Sequence, residues 1–527
     1  MISCLGTATY QQPFEMTPLP SGVMPSSINF LQHSRRRSAD AYIRSLLTTS
    51  AIFALSLPLA ARCANKSPDK ITLEKMVCPA SSIKNAVCIK AIVPENYDLP
   101  HGRQISLDVA ILKAAIPASP SRSLFVLQGG PGQRTTTTIE DESEVWKKLG
   151  RTHDLVFIDQ RGTGISPDLH CANPDDDKSV LLRDLWPAEN LAACAKRLSD
   201  TVDLTRYTTT EAARDLNNIR AALSYDQIGI VAYSYGTRLA QEYLRHYDSS
   251  VRATLLMGPV APGTYVPAGL ASEAEISLTQ ILNRCKADKK CSTAFPDVFG
   301  DLEKLKAILN GRGLVLHKGS KGQPNDVHIS SGVVASYLRM YLYAVSIAAS
   351  LPRLIHTLAN EDKNQEQLAL IVQWREQFED AAPWGLYMAI TCNEDLPFID
   401  EKKERALAAG TLVGSFRIDQ QFAACRNWPR SKVSPEFHTP VDSVKPILLL
   451  AGQFDPSTPS SNSEQIISHM PNGKLIIVPN RSHAMFEDWN ACLEKVTTNF
   501  LENANARTVD TACVNRLRLP NFDIAPL

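Results

Sequence analysis

Ile228-Gly-Ile-Val-Ala-Tyr-Ser234-Tyr-Gly236 sets a serine between a short apolar run and a helical stretch, Thr237–His246. The run Ile228–Val231 reads as a buried strand. A serine on the sharp turn from such a strand into a helix presents its hydroxyl as a nucleophile. The turn is strained, so the positions two before and two after the serine must be small. Ala232 and Gly236 satisfy that demand. A serine among small residues is common; the strand–turn–helix setting is what singles out Ser234.

Working outward, the same rhythm recurs. Ile105, Leu107, Val109 and Ile111 alternate with other residues, as in a half-buried strand. Leu124–Leu127, Leu155–Ile158 and Thr254–Met257 are short continuous apolar runs, the pattern of strands covered on both faces in a parallel sheet. Between two of them, Thr208 and Glu211 form a capping box for a helix whose Ala212, Leu216, Ile219 and Leu223 share one face. Near Gly263 the rhythm changes, and residues 264–440 read mainly as helices and loops with no ladder of buried strands. Strand–helix–strand resumes with Pro446–Ala451, Ser461–Met470 and Lys474–Val478. The expected fold is therefore α/β: a mostly parallel sheet flanked by helices and interrupted by a large, mainly helical cap. The expected divisions are a leader over 1–64, the first part of the core over 65–263, the cap over 264–440 and the rest of the core over 441–527. Two independent domains would leave the last two strands without a sheet.

A serine nucleophile needs a base, and the base needs a third group to orient it. Asp455 lies in Gly452-Gln-Phe-Asp-Pro456 after one late strand, and His483 in Asn480-Arg-Ser-His483 after the next. Both positions are loops at strand C-terminal ends, where a parallel sheet gathers its site. Of the 11 histidines, His469 falls in an expected helix and His438 precedes the last two strands. An oxyanion requires backbone donors fixed in advance. Gln128-Gly-Gly-Pro-Gly132 follows the strand Leu124–Leu127 and brings bare backbone close to a ligand; Gly130 N–H and Tyr235 N–H are the candidate donors. Neither G-x-G-x-x-G nor a Walker lysine accompanies these glycines, so a phosphate loop is disfavoured.

Gly129-Gly-Pro-Gly132, then Asp159-Gln-Arg-Gly-Thr-Gly164, then Ser234-Tyr-Gly236, in that order, resemble the proline iminopeptidase and tripeptidyl aminopeptidase family of α/β-hydrolase serine peptidases. The resemblance spans about Val77 to Cys513 and includes Val93-Pro94, Asp455 and His483. The departures are Gln128 where histidine often stands, Ala232 for glycine, and Met257-Gly-Pro259 where Asp-Gly is frequent. The resemblance implies an α/β-hydrolase fold and release of N-terminal residues or short N-terminal peptides through an acyl-enzyme, with no cofactor and no metal. It also implies acidic cap residues that hold the substrate's α-ammonium group. Glu394 and Asp395, in Cys392-Asn-Glu-Asp395, match that motif best. The same residues fit equally a solvated acidic turn beside a disulfide. Asp159 and Arg161 read as a structural ion pair or hydrogen-bonded turn, and Asp215 and Arg220 as an exposed face or a helix contact.

Bulk properties narrow the partners. The 527 residues are 44% hydrophobic and 21% charged, as in globular proteins. Lys+Arg and Asp+Glu both number 55, so no net field favours nucleic acid or an anionic membrane. Arg35–Arg37 and Arg44 precede an apolar run, Leu46–Ala61, which ends in small residues; this is the layout of a secretory signal peptide. The run is diluted by Thr48, Thr49 and Ser50 and is shorter than the ~20 residues of a membrane span. Met24 is an alternative start. Beyond Cys63 stand ten cysteines in five successive near pairs: Cys78 and Cys88, Cys171 and Cys194, Cys285 and Cys291, Cys392 and Cys425, Cys492 and Cys513. In an exported chain these suggest disulfides, although spacing does not fix their connectivity. The expected partners are peptides with a free N-terminus, in a secreted or periplasmic setting, without nucleic acid or stable membrane insertion. An esterase, thioesterase or lactonase is the rival reading, because one fold hosts many acyl transfers. A non-catalytic binding protein is the third.

Overall fold

A computed structural model describes residues 69–525, apart from 79–85, 118–121, 140–143, 165–166, 173–177, 312, 318–325, 361–363, 381–382 and 486–488. The leader, with Arg35–Arg37, Arg44, Leu46–Ala61 and Cys63, lies outside the described residues.

The apolar runs pair into one nine-stranded sheet. Its strands are β1 (Thr72–Met76), β2 (Ala86–Pro94), β3 (Gln104–Leu112), β4 (Ser123–Leu127), β5 (Asp154–Ile158), β6 (Ile228–Tyr233), β7 (Val251–Met257), β10 (Ile447–Gly452) and β11 (Gly473–Val478). In space they run β1-β2-β3-β5-β4-β6-β7-β10-β11. The first three strands join β5 antiparallel, and everything from β5 to β11 is parallel. Register aligns the C-terminal ends: Leu127 opposes Ala232, Tyr233 opposes Met257, Met257 opposes Leu450, and Gly452 opposes Val478. Four loops, after β4, β6, β10 and β11, therefore open at one edge.

The parallel strands are apolar throughout because both faces are covered. Phe125, Ile230, Leu256 and Leu449 meet Ala212, Leu216, Leu239 and Tyr243 from helices α2 (Thr209–Ala222) and α3 (Tyr235–Tyr247). Alternate residues Leu124, Val126, Val231, Leu255 and Leu448 face the other way, toward Leu493, Val496 and Phe500 of α11 (Ala491–Asn503). The Thr208 hydroxyl accepts from Glu211 N–H at 3.2 Å and so caps the start of α2.

Between β7 and β10 the chain is mostly helical. Helices α4 (Leu270–Ala287), α5 (Val298–Gly311), α6 (Ser331–Tyr341), α7 (Leu351–Leu358) and α8 (Gln365–Asp380) are followed by α9 (Trp384–Ile390), a π-helical turn (Thr391–Asp395) and α10 (Phe416–Cys425). Two features depart from the expectation. A short hairpin, β8 (Leu314–Leu316) with β9 (Val327–Ile329), pairs antiparallel inside this region. Leu169, Cys171, Leu185, Trp186 and helix α1 (Ala188–Ser199) also pack on the cap helices, against Trp384, Tyr387 and Cys425. The cap core is thus built from two separate stretches of chain, which a local pattern does not reveal.

All five near pairs are disulfides: Cys78–Cys88, Cys171–Cys194, Cys285–Cys291, Cys392–Cys425 and Cys492–Cys513. Five disulfides mark a chain that folds in an oxidising, extracytoplasmic compartment. Among the described residues, no helix is long and apolar enough to cross a membrane.

Candidate active site

Ser234 sits between β6 and α3 with φ 51° and ψ −124°, a conformation L-residues seldom adopt. Its N–H donates to Met257 O at 2.9 Å, which ties the strained residue to the neighbouring strand. The small flanks are a steric necessity. A Cβ on Gly236 would stand 2.5 Å from Leu127 O, and Ala232 is wholly buried against β4. The loop after β4 also touches the serine: a Cβ on Gly129 would come within 2.9 Å of Ser234 Cβ. Gly130 follows at once, and Tyr235 opens α3, where the first N–H groups of a helix have no intrahelical acceptor. The helix dipole adds positive potential at the same point.

His483 and Asp455 arrive from the loops after β11 and β10. His483 Nε2 is 3.0 Å from Ser234 Oγ, and His483 Nδ1 is 2.8 Å from Asp455 Oδ2. Both side chains are buried. Asp455 also accepts from Ser457 N–H at 2.8 Å, from Thr458 N–H at 2.7 Å and from the Thr458 hydroxyl at 2.7 Å. Thr458 Oγ1 is in addition 3.0 Å from His483 Nδ1. Thr458 was not singled out in the sequence, although a threonine three residues past an aspartate is a familiar turn-forming signal. The cap supports this end of the site. Ser277 of α4 donates to Phe454 O at 2.7 Å, and the Ser482 hydroxyl bonds Leu342 O. Tyr343 lies edge-on to the His483 ring at 4.9 Å. Hydroxyl, imidazole and carboxylate in series form the arrangement that makes a serine nucleophilic toward acyl groups.

Glu394 and Asp395 occupy the π-helical turn, and both are buried rather than solvated. Glu394 accepts from Thr209 N–H and from the Thr209 hydroxyl, each at 2.6 Å; that hydroxyl is 2.7 Å from the Tyr235 hydroxyl. Asp395 Oδ1 pairs with Arg238 of α3 at 2.8 Å, and a backbone hydrogen bond from Val266 also favours its charged form. Burial pushes the Glu394 carboxyl up to about 8, against the opposing pull of the Thr209 bonds. Burial likewise raises Asp395 to about 6, even though Arg238 favours its charged form. The cap acids are thus connected to the helix that starts at the serine.

The remaining charged residues decide between the expected alternatives. Asp159 does not pair with Arg161. It accepts from Thr136 N–H at 2.8 Å and from Arg134 at 2.9 Å, whereas Arg161 pairs with Asp215 at 2.7 Å. Asp215 is buried, not on an exposed face, because α2 presents it to Arg161 and to the Tyr97 hydroxyl. Arg220 bonds the Tyr225 carbonyl just past the end of α2. Of the other histidines, His469 faces Asp442, and His438 packs against Phe398 and Tyr265. Among the described residues, no group of three or more His, Cys, Asp or Glu is arranged to hold a metal ion.

Comparison with known proteins bears on the fold and the family. Residues 123–279 match the alpha/beta hydrolase fold family, and residues 411–513 match the TAP-like protein family. Over 456 residues the chain is 24% identical to serine protease Hip1 of Mycobacterium tuberculosis, covering 79% of this chain and 85% of that protein. Carboxylesterase B of the same species is 31% identical over 481 residues, covering 83% of this chain and 88% of its own. Tripeptidyl aminopeptidase of Streptomyces lividans is 28% identical over 192 residues, 33% of this chain and 35% of that protein. With one family match before most of the cap, another spanning the loops of Asp455 and His483, and a near full-length relative above 30% identity, the chain belongs to the TAP-like peptidase family of the α/β-hydrolase fold.

Proposed function

We propose that this protein is an exported serine aminopeptidase that hydrolyses N-terminal residues or short N-terminal peptides from peptides with a free amino terminus. The observation that carries the reading is the relay Ser234 Oγ–His483 Nε2 at 3.0 Å and His483 Nδ1–Asp455 Oδ2 at 2.8 Å. His483 takes the Ser234 proton as the hydroxyl oxygen attacks the scissile carbonyl carbon. It returns that proton to the leaving amine when the C–N bond breaks. Water then repeats the sequence on the acyl-enzyme, with His483 again as base. Gly130 and Tyr235 N–H groups hold the oxyanion, a role supported by the contact of Gly129 with Ser234 and by the N-terminus of α3. Glu394 and Asp395 form the α-ammonium site. The burial of both carboxyls and the link from Glu394 through Thr209 to Tyr235 support that assignment. The disulfides support export.

An esterase is the second reading, favoured by 31% identity to a carboxylesterase over most of both chains. A panel of chromogenic amides separates the two. Free-amino mono-, di- and tripeptide amides, their N-acylated counterparts and small acyl esters are hydrolysed side by side. Turnover of the free-amino amides, lost on N-acylation, is the expected result. Ester hydrolysis with no amide turnover would select the second reading.

A further inference from the structure

Buried arginines in this protein are generally neutralised or bound to backbone. Arg161 pairs with Asp215, Arg238 pairs with Asp395, and Arg375 donates to the carbonyls of Leu181 and Leu185. Two others differ. Arg339 on α6 and Arg417 on α10 retain only 9% and 8% of their exposure, yet among the described residues neither forms an ion pair with a carboxylate. Their side-chain partners are phenols, rings and, for Arg339 Nη1, the Met340 sulfur at 4.0 Å. Arg339 donates to the Tyr343 hydroxyl at 2.8 Å, and Arg417 donates to the Tyr387 hydroxyl at 2.9 Å and lies 3.8 Å over Trp186. Arg339 Nε and Arg417 Nη1 are buried with no hydrogen-bond partner among the described residues.

A guanidinium group does not shed its proton to escape burial. The two also repel each other: the charge of Arg339 is among the influences that lower the proton affinity of Arg417, after burial itself. Ring faces compensate a buried cation only in part. Unspent donors on two neighbouring buried cations therefore favour an anion with several acceptor oxygens, and planar guanidinium forks suit a carboxylate. The cluster adjoins the chemistry. Tyr343, which Arg339 holds, is half-buried and meets the His483 ring edge-on at 4.9 Å.

We propose that Arg339 and Arg417 form a subsite for a carboxylate of the substrate, next to the catalytic histidine. The inference rests on the peptidase reading and extends it to the substrate's charge. The carboxylate comes either from a free C-terminus of a short peptide or from an acidic side chain.

The test uses the full disulfide-bonded protein and free-amino peptides that share one scissile bond. One arm compares a C-terminal carboxylate with a C-terminal carboxamide. The other compares Asp with Asn in peptides amidated at the C-terminus. In the wild type, kcat/KM is expected to favour the carboxylate at least tenfold in one arm, mainly through KM. Arg417→Gln and Arg339→Gln should bring that ratio toward one, and Arg417→Lys should restore part of it. Preferences below tenfold in both arms overturn the subsite, and so does a ratio unchanged in the folded variants. If neither variant folds, the wild-type ratios alone decide. Hydrolysis of an uncharged free-amino tripeptide chromogenic amide is measured in parallel. Its absence defeats the peptidase reading, whereas its presence beside a flat ratio defeats only the carboxylate subsite.

Discussion

Glu394→Gln should remove a pH dependence from the stability of this protein. In the folded chain burial lifts the Glu394 carboxyl from its ordinary 4.5 to about 8. Between those values the folded state holds a proton that the unfolded state has released. Stability from this group is therefore complete below about 4.5 and is lost as pH rises through about 8. A tenfold change in proton affinity corresponds to roughly 1.4 kcal/mol, so the whole window is worth on the order of 3–5 kcal/mol. Glutamine keeps the shape of the neutral acid and carries an acceptor and a donor to face Thr209 N–H and Oγ1. It cannot ionise. Urea unfolding of wild type and variant at about pH 5, 6.5 and 8 measures the difference, and the other titrating groups cancel in the comparison. The wild type should lose stability relative to the variant by about 3–5 kcal/mol across that range, with unchanged m. Parallel curves for the two proteins would refute the reasoning and mean that Glu394 is ionised even when folded.

Four further outcomes are expected. Ser234→Ala and His483→Ala should each abolish most turnover while circular dichroism stays native, and Asp455→Asn should cost about 10⁴ in kcat through the wrong imidazole tautomer. Thr458→Val removes the hydroxyl that bonds Asp455 and approaches His483, so kcat should fall roughly tenfold with KM little changed. Calorimetry of Ser234→Ala with a free-amino peptide, in buffers of different ionisation enthalpy near pH 7, should show close to one proton released as Glu394 ionises beside the ammonium. Thiol titration under denaturing, non-reducing conditions should find almost no free thiol among the ten paired cysteines, and Cys392→Ala with Cys425→Ala should cost about 2–4 kcal/mol of stability and impair peptides more than small esters.

The parts that were legible in the sequence are those that depend on neighbours in the chain. Buried parallel strands read as unbroken apolar runs, and the serine, acid and base follow their C-terminal ends, so β4 to β7, β10 and β11 and the three catalytic candidates could be located in advance. Strand β1 escaped notice because Thr72–Met76 sits at the sheet's edge and is largely exposed, without a clean alternation. The β8–β9 hairpin is only three residues on each side. Partner choice among buried charges was harder still. Asp159-Gln-Arg161 invites a local pair, but the turn sends Asp159 toward Arg134 and Arg161 toward Asp215. Arg339 and Arg417 carried no signal at all. Each looks like an ordinary charge on a helix, and only packing shows that no carboxylate among the described residues comes to meet it.

A triad and two oxyanion donors act alike on esters and amides, so discrimination has to come from groups that touch the substrate away from the reacting carbonyl. Three of the residues proposed for that task, Glu394, Asp395 and Arg417, sit on one covalently joined part of the cap. Cys392 lies in the turn with Glu394 and Asp395, and Cys425 ends the helix that carries Arg417. Their disulfide joins an acidic patch to a basic one, and Gln421 reinforces it by donating to Thr391 Oγ1 at 2.8 Å. Arg430 adds a bond to Cys392 O. Opposite charges close together would normally collapse onto each other. They are kept apart because Asp395 is engaged by Arg238 from the core and Arg417 is held by Tyr387 and Trp186. That separation keeps carboxyls on one side and guanidinium donors on the other, each already desolvated. A zwitterionic peptide could satisfy both at once, and its two ends would fix the position of the bond between them. A neutral ester satisfies neither and gains nothing from the cap. Under this arrangement the core supplies the rate and the cap supplies the choice of substrate, so damage to the cap should appear as lost selectivity before it appears as lost chemistry.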